Sequence, residues 1–312
     1  MSAANRIGAP AAPRPAAVSP IGLVQLFASV ILLASAWPLA KVAIAAGATP
    51  IWFAEGRAVL SGIIASILLM AFGGFRRPTR PDLPALFAIG GFQLGLYFAL
   101  SHEAAAWVQA GRIAILANTT TIWVVPLSLI FLRETISLRR WIAAGIGIAG
   151  VVILIDPLHV DYANRNTLIG HLFLLGAALS WSVAIIVTRA TKPSQSMFGL
   201  LPWCFLIASV MLAPLVWWHA PDGTFGHQPI CWIALAYIGL IAGPLGTWCV
   251  MEATMKLPTL VSSLGFLTTP AVSLLIATVF LHEPLTPDLL AGSALIMGGV
   301  GVAAWPQRSK RS

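Results

Sequence analysis

Residues 103–150, EAAAWVQAGRIAILANTTTIWVVPLSLIFLRETISLRRWIAAGIGIAG, have a second copy at residues 252–299, EATMKLPTLVSSLGFLTTPAVSLLIATVFLHEPLTPDLLAGSALIMGG. A gapless superposition pairs Glu103 with Glu252, Glu134 with Glu283, and Gly150 with Gly299. Each copy reads as an acidic residue, an apolar run with a polar centre, a second Glu, a short hydrophilic turn and another apolar run. The pattern predicts a pair of membrane helices used twice, and such a repeat must be settled before single motifs are weighed.

The composition indicates an integral membrane protein. Of 312 residues, 58% are hydrophobic and 9% are charged, far from the roughly 25% charged residues of soluble domains. Apolar runs of the ~20 residues needed to cross a bilayer recur along the whole chain. The net charge of +8 does not indicate nucleic acid, because the basic residues form no patch with interleaved aromatics. The lipid bilayer is therefore the expected partner, and the fold class is all-α integral membrane.

Hydropathy predicts ten transmembrane helices, arranged as two five-helix repeats. They are expected at 22–44, 51–73, 84–101, 107–132, 139–156, 168–189, 197–218, 230–250, 258–281 and 287–305. The first repeat covers 21–156 and the second covers 168–306. Residues 1–20, rich in Ala and Pro, are expected to be a disordered cytoplasmic tail, and residues 307–312 a basic cytoplasmic tail.

The basic residues predict the orientation. Fourteen of the 18 Lys and Arg residues fall on one side of the predicted helices, so the positive-inside rule places both termini in the cytoplasm of an inner or plasma membrane. Since each repeat has an odd number of helices, the second repeat must be inverted. A cleaved signal peptide ending at Ala34-Ser35-Ala36 is an alternative, although its removal would break the duplication.

Inverted repeats are a recurring design of secondary transporters, whose substrate site lies near the midplane between the halves. Channels and scramblases are also built in this way. No phosphate-binding loop with a lysine is present in the sequence, so a gradient is the expected driving force and no cofactor is expected. An intramembrane enzyme would need a nucleophile with a base or paired ligands at membrane depth. The spacing favours neither, and the chain is predicted not to be an enzyme.

Four motifs resemble the drug/metabolite transporter superfamily, in particular its EamA-type members. The first helix reads Leu33-Ala34-Ser35-Ala36-Trp37-Pro38-Leu39-Ala40-Lys41, and the sixth has Trp181-Ser182 followed by Arg189. Arg57 lies in the second helix where the family tends to have an arginine. The fourth and ninth helices end in Phe131-Leu132-Arg133-Glu134 and Phe280-Leu281-His282-Glu283. The resemblance implies a ten-helix exporter of small metabolites with a cavity between the middle helices of each half.

One departure from the family pattern concerns a proline. The family position is Pro270 in the second half but Thr121 in the first, where the proline is Pro126 instead. This difference predicts that the kink of the fourth helix is displaced by more than one turn.

Ionisable residues inside a bilayer are costly and call for a partner or a function. Lys41, Glu55, Arg57, Glu103 and Arg112 are predicted near the outer ends of the first four helices, with His102 beside them. One interpretation is a polar vestibule in which Arg57 or Arg112 binds a substrate carboxylate and Glu55 or Glu103 couples transport to protons. The alternative is an ion network that joins helices or side chains that snorkel to the headgroups.

Polar residues at matching depth in the two repeats predict a binding site. The fourth helix has Asn118, Thr119, Thr120 and Thr121 with Trp123 a turn below, and the ninth has Thr268, Thr269 and Pro270. The alternative is that these hydroxyls only join close-packed helices. Trp37 and Trp181 lie too deep for interface anchors, so they are expected to line a cavity or to pack in the core.

The remaining polar and small residues favour structural roles. Glu134 and Glu283 are expected to cap the following helix or to pair with Arg139, Arg140 or His282. The six histidines have no metal-ligand spacing, no metal is predicted, and exposed outer positions are expected for them. The glycines of the fifth and tenth helices predict a packing face or a homodimer interface.

The leading hypothesis is therefore a secondary transporter that exports amino acids or similar small metabolites by alternating access. A channel or facilitator without gradient coupling is the main alternative. A membrane scaffold or sensor is the third, although such proteins normally keep a soluble interaction domain.

Overall fold

The computed structural model describes residues 19–133, 138–155, 165–257, 261, 265–266 and 268–304. Every regular element in these ranges is a helix. Six helices are long and apolar enough to cross a membrane, at Pro20–Ala45, Pro50–Ala71, Arg80–Ala105, Arg165–Ala190, Met197–His219 and Pro229–Val250. Shorter apolar helices lie at Ile122–Phe131, Trp141–Leu154, Thr269–Leu281 and Pro287–Val302. The all-α prediction is confirmed, while the count of ten spanning helices stays a prediction.

The helices are numbered in chain order, and two of the long ones contain π-helical segments. The elements are α1 Pro20–Ala45, α2 Pro50–Ala71, α3 Leu83–Phe87, π1 Ala88–Leu96, α4 Tyr97–Ala105, α5 Ala110–Leu116, α6 Thr120–Phe131, α7 Leu138–Ile155, α8 Arg165–Ala190, α9 Met197–His219, α10 Pro229–Ala236, π2 Tyr237–Ala242, α11 Gly243–Lys256, α12 Thr269–Leu281 and α13 Pro287–Ala304.

Caps and prolines explain several helix starts. The Ser19 hydroxyl accepts a hydrogen bond from Gly22 N at 3.3 Å, and the Ser196 hydroxyl accepts one from Gly199 N at 3.2 Å. Each bond satisfies a backbone donor that the first turn of a helix leaves free. Pro50 opens α2, where its fixed φ suits the first turn and its missing amide costs nothing.

The predicted fourth helix is interrupted, and the interruption is not at Pro126. Residues 117–119 form a turn between α5 and α6, whereas Pro126 lies inside α6. A displaced kink at Pro126 therefore stays a prediction, and the break before it was not predicted. At the turn, the Asn118 amide donates to Ala114 O at 2.6 Å and the Thr119 hydroxyl donates to Leu116 O at 2.7 Å. Short polar side chains that bind nearby carbonyls compete with helical hydrogen bonding, which accounts for the break here.

The offset of 149 residues between the two sequence copies also relates the π-helical segments and the helices that follow the breaks. The segments π1 and π2 begin at Ala88 and Tyr237, which are 149 positions apart. The helices α6 and α12 begin at Thr120 and Thr269, which are also 149 positions apart. The π-helical segments were not predicted from the sequence, and such segments are frequent at functional sites.

The core lies where helices of the two sequence copies meet. Helix α2 packs on α9, α1 packs on α11, and α4 with π1 packs on α8. The largest cluster of buried apolar side chains draws on α1, α2, π1, α4, α8 and α9, with further residues from α5, α7, α12 and α13, and contains many alanines and leucines. Small residues at such positions let membrane helices approach closely.

Helices α7 and α13 pack against each other within the chain. A Cβ atom on Gly150 would lie 2.8 Å from Gly292 O, and one on Gly299 would lie 2.7 Å from Ala143 O. These glycines therefore form an internal packing face. A homodimer through the fifth and tenth helices stays a prediction, and it would have to use other faces of α7 and α13.

Candidate functional site

Arg57 lies inside the bundle with its charge unmatched. Its residue is 7% exposed, and the guanidinium carbon lies 4.0 Å from the centre of the Phe98 ring. Among the described residues, no carboxylate lies within ion-pair distance of Arg57, and its Nε has no hydrogen-bond partner. A cation over an aromatic face is favourable, but the stacking leaves the guanidinium donors available for an anion.

Aromatic rings from α1, α4 and α8 form a connected group that includes Phe98. The Tyr97 ring lies edge-on to Trp181, with centroids 4.7 Å apart, and edge-on to Trp37, with centroids 6.0 Å apart. The His102 ring lies 5.6 Å from Trp37. The predicted residues Trp37, Arg57 and Trp181 are thus connected through side chains of α4.

Two further side chains of α4, Ser101 and His102, are buried and each has a polar atom without a hydrogen-bond partner among the described residues. His102 is fully buried, and its Nδ1 lies 2.8 Å from Phe98 O. Since a carbonyl oxygen can only accept, Nδ1 is the donor, and Nε2 of a neutral ring is a free acceptor. In the described part of the chain, neither His102 Nε2 nor the hydroxyl of Ser101 has a hydrogen-bond partner. We refer to Arg57, Tyr97, Phe98, Ser101 and His102 as the arginine cluster.

The sequence interpretation missed most of the arginine cluster. His102 was expected to be exposed at the outer surface, and the structure corrects this because the residue is fully buried. The exposed position expected for His171 is likewise wrong, since this residue is 2% exposed. One sequence feature could have indicated that His102 is buried: it directly follows Ser101 within a largely apolar segment, 97–105.

Arg112, unlike Arg57, has an ion-pair partner among the described residues. Its guanidinium pairs with the Asp288 carboxylate of α13 and donates to Leu154 O of α7. The interpretation of Arg112 as a carboxylate-binding residue stays a prediction, but its position is that of a link between helices. This contact lies between residues from opposite sequence copies.

Glu283 is a helix cap of a kind that was not predicted. Its two carboxylate oxygens accept hydrogen bonds from Ala110 N at 2.7 Å and Gly111 N at 3.0 Å. It therefore caps α5 of the first sequence copy, and the expectation that it would cap the following helix is wrong. Glu134 lies outside the described residues. Nearby, Lys41 Nζ donates to Ala105 O at 2.6 Å.

The polar residues at the two helix breaks occupy equivalent places in their copies. Thr119 and Thr268 are equivalent, and the Thr268 hydroxyl donates to Gly265 O at 2.6 Å as the Thr119 hydroxyl does to Leu116 O at 2.7 Å. Thr119 is buried, whereas Thr268 is exposed. Asn118 is also exposed. Thr120 and Thr269 are the first residues of α6 and α12, and Thr120 O accepts a hydrogen bond from Ser182 at 3.1 Å.

The remaining predicted site residues lie close to these breaks or at the ends of α2 and α4. Pro270 is buried in the first turn of α12. The Trp123 indole has no hydrogen-bond partner among described residues, and the side chain of Thr121 lies outside them. Glu55 accepts from the Ser209 hydroxyl of α9, while Glu103 is half-buried next to His102.

Known proteins resemble this chain along most of its length. The profile of the EamA-like transporter family matches residues 20–156 and again residues 168–305. An "uncharacterized transporter" of Archaeoglobus fulgidus is 28% identical over 264 residues, which cover 81% of this chain and 87% of the relative. A "probable terminal-alkyne amino-acid exporter" of Streptantibioticus cattleyicolor is 28% identical over 283 residues, covering 88% of this chain and 90% of the relative.

A solved crystal structure has a similar fold. It aligns with a TM-score of 0.59 and 17% sequence identity, over 90% of this chain and 96% of its own chain. At this identity the likeness concerns the fold alone.

Proposed function

Because this chain belongs to the EamA-like transporter family, of the drug/metabolite transporter superfamily, we propose that it exports small carboxylate-bearing metabolites, such as amino acids, by alternating access. The chain is a multi-pass membrane protein, as its family and its apolar helices show. Beyond family membership, the proposal concerns the class of substrate, the direction of transport and the transport mechanism. The relative named as an amino-acid exporter supports that class.

The observation that carries the proposal is Arg57, a buried cation without a described carboxylate partner. Moving an ion out of water costs several kcal/mol even after relaxation. Stacking on Phe98 offsets only about 2 kcal/mol of that cost. A substrate carboxylate would offset more, because arginine binds carboxylates through two parallel charge-assisted hydrogen bonds. The Trp37 and Trp181 rings nearby suit the apolar part of a small amphipathic molecule.

Loop contacts support two inverted repeats. Between the loops that precede α2 and α10, Thr49 N donates to Thr224 O at 2.9 Å, and Thr224 N donates to Thr49 Oγ1 at 3.0 Å. Between the loops that precede α3 and α9, Ser194 N donates to the Asp82 carboxylate at 2.6 Å. The 149-residue offset between the sequence copies relates the loop before α2 to the loop before α9, and the loop before α3 to the loop before α10. The first loop pair is therefore the repeat-related equivalent of the second. If ten helices span the membrane, the pairs lie on opposite faces.

The helix pair α7 and α13 agrees with the same symmetry. Gly150 meets Gly292, and Gly299 meets Ala143. Adding 149 to Gly150 and Ala143 gives Gly299 and Gly292, so one contact maps onto the other. We therefore propose ten spanning helices in two inverted repeats, with both termini in the cytoplasm as the positive-inside rule predicts.

In this topology, polar contacts join the two halves near the outer side of the bundle. Glu283 binds the first amides of α5, and Arg112 binds Asp288, so residues of both halves meet there. In alternating access the substrate site opens to one side at a time while the halves move against each other. Release to the outside would require these contacts to separate.

The test is counterflow in proteoliposomes with purified protein. The panel contains amino acids, organic acids without an amino group, nucleosides and cationic drugs. We expect saturable counterflow of a carboxylate-bearing solute by the wild type and a loss of about 10- to 150-fold in Arg57→Gln, from the roughly 1.5–3 kcal/mol of a charged hydrogen bond. Arg165→Gln removes an exposed arginine and should transport normally.

Two results would contradict the proposal. If Arg57→Gln transports the same solute as well as Arg165→Gln does, Arg57 is not the anion site. If flux through the wild type does not saturate and shows no counterflow, the protein is a channel or facilitator.

A further inference from the structure

An apolar groove of about 400 Å³ runs between α2 and α9. Two of the side chains that line it are hydroxyls, Ser66 and Ser209. The Ser66 hydroxyl donates to Gly62 O at 2.7 Å, and the Ser209 hydroxyl donates to Glu55. Because both hydroxyls already donate to protein acceptors, the groove suits a hydrocarbon chain better than a polar solute.

The groove is open along the side of the bundle that faces lipid. Ile63, Ile67 and Met70 line it and are each about half exposed, at 49%, 48% and 57%. Between Ala58 and Met70 the helix rises by about 18 Å, and one leaflet of hydrocarbon is about 15 Å thick. The groove is therefore long enough for one acyl chain of a phospholipid.

One end of the groove lies at a basic surface. Phe75 and Trp203 line this end with their ring centroids 5.5 Å apart, and Trp203 Nε1 donates to Arg76 O at 3.0 Å. Arg76 and its neighbour Arg77 are both exposed. Further exposed cations from the same loop and from the end of α8 are Arg80, Arg189 and Lys192.

The acidic residue of this loop, Asp82, already accepts hydrogen bonds. Asp82 is fully buried, and its oxygens accept hydrogen bonds from Thr79, Ser194 and Gln195. These bonds hold the two basic loops together, while the arginines remain exposed. The surface thus offers several cations to an anionic group at the groove's end.

We propose that this groove binds one anionic phospholipid of the cytoplasmic leaflet. An acyl chain lies between α2 and α9, and the phosphate lies on Arg76, Arg77 and Arg80. Basic pockets between membrane helices on the cytoplasmic side are suited to such headgroups. The proposal rests on the topology proposed above, but it does not rest on transport. Since α2 and α9 occupy corresponding places in the two halves, the lipid would lie at the boundary that moves in alternating access.

Native mass spectrometry of the delipidated full chain tests this binding directly. Phosphatidylglycerol and phosphatidylcholine with identical acyl chains are titrated into separate samples. We expect one phosphatidylglycerol to bind at least about tenfold more tightly, because each surface arginine contributes roughly 1 kcal/mol toward anionic lipid. The combined variant Arg76→Gln, Arg77→Gln, Arg80→Gln should lose this preference. A control, Arg308→Gln, Lys310→Gln, Arg311→Gln, changes the net charge equally and should keep it.

A groove variant separates the acyl chain from the headgroup. Ser66→Trp fills the groove and should weaken the binding of both lipids, in protein whose thermal transition confirms folding. Equal affinity of the wild type for both lipids would overturn the proposal. So would unchanged binding in folded Ser66→Trp, or a dimer that forms in place of the lipid adduct. If Ser66→Trp does not fold, the charge variants alone decide.

Discussion

Arg57 and Arg112 both place a guanidinium group inside the helix bundle. Because their surroundings differ, we expect substitution of each to have a different effect. Arg112 is matched by Asp288, so its removal leaves a carboxylate without its partner. Arg57 is matched by an aromatic face, so its removal leaves no described carboxylate unpaired. Losing Arg57 should therefore affect substrate binding more than folding, whereas losing Arg112 should affect folding first.

The cap on α5 gives a prediction about stability at the level of one residue. Glu283→Ala leaves the amides of Ala110 and Gly111 without their acceptors. We expect a loss of about 1–2 kcal/mol, the upper part of the range for helix caps, because the acceptor is charged. The measurement is the free energy of unfolding, or the shift of the thermal transition, of purified protein in detergent.

A matched acidic residue provides the control for this cap. Glu252 forms a partly exposed ion pair with Lys256 four residues away at 2.7 Å. Such pairs contribute about 0.2–0.5 kcal/mol, so Glu252→Ala should have a small effect. Equal destabilisation by the two variants would show that Glu283 contributes no more than a surface charge.

At the scale of elements, the contact between α7 and α13 depends on the absence of side chains. Gly150→Leu would drive a side chain into the Gly292 backbone, where even a Cβ atom lies too close. We expect destabilisation of about 1–3 kcal/mol, typical of overpacking, measured by thermal unfolding. Gly145→Leu on the same helix meets no described atom within 4 Å of the new Cβ. If Gly145→Leu destabilises the protein as much as Gly150→Leu does, the close approach of α7 and α13 does not explain the glycine at position 150.

Helix positions were predictable from the sequence because hydropathy reports length and apolarity directly. For the six long helices, the predicted bounds fall within a few residues of those observed, as with 197–218 against Met197–His219. The short polar residues near the breaks at 117–119 and Thr268 were recognised as a candidate site, although continuous helices were expected there at 107–132 and 258–281. The π-helical segments were not predicted, because nothing in the apolar runs at Ala88 and Tyr237 distinguishes π-helical from α-helical hydrogen bonding.

The orientation of the side chains at the candidate site was harder to predict, because the helices that form it are apolar on all faces. An amphipathic stripe usually shows which side of a helix faces the core, and α4 has none that would point His102 inward. Arg57 and Arg112 likewise looked equivalent until the partner of each was known. Tertiary packing decides these questions, through contacts such as Arg112 with Asp288 that join residues far apart in sequence.

At the scale of the whole molecule, the loops before α3 and before α10 decide whether the two halves are inverted. The loops occupy corresponding positions in the sequence copies, so parallel repeats would put both on one side of the membrane. Arg77 and Asp222 are exposed residues of these loops. In a chain whose three buried cysteines are replaced, Arg77→Cys and Asp222→Cys can each be treated with an impermeant maleimide on intact cells.

We expect Asp222→Cys to react from outside and Arg77→Cys to react only after the membrane is opened, because the arginine-rich loop belongs in the cytoplasm. Reaction of both from the same side would exclude inverted repeats. If Arg77→Cys is among the positions that react from outside, the cytoplasmic placement on which the phospholipid site rests is lost as well. Reaction with the sides exchanged would keep the inversion but reverse the orientation, and the contacts of Glu283 and Arg112 would then lie on the cytoplasmic side. The labelling thus separates the symmetry of the fold from its direction in the membrane.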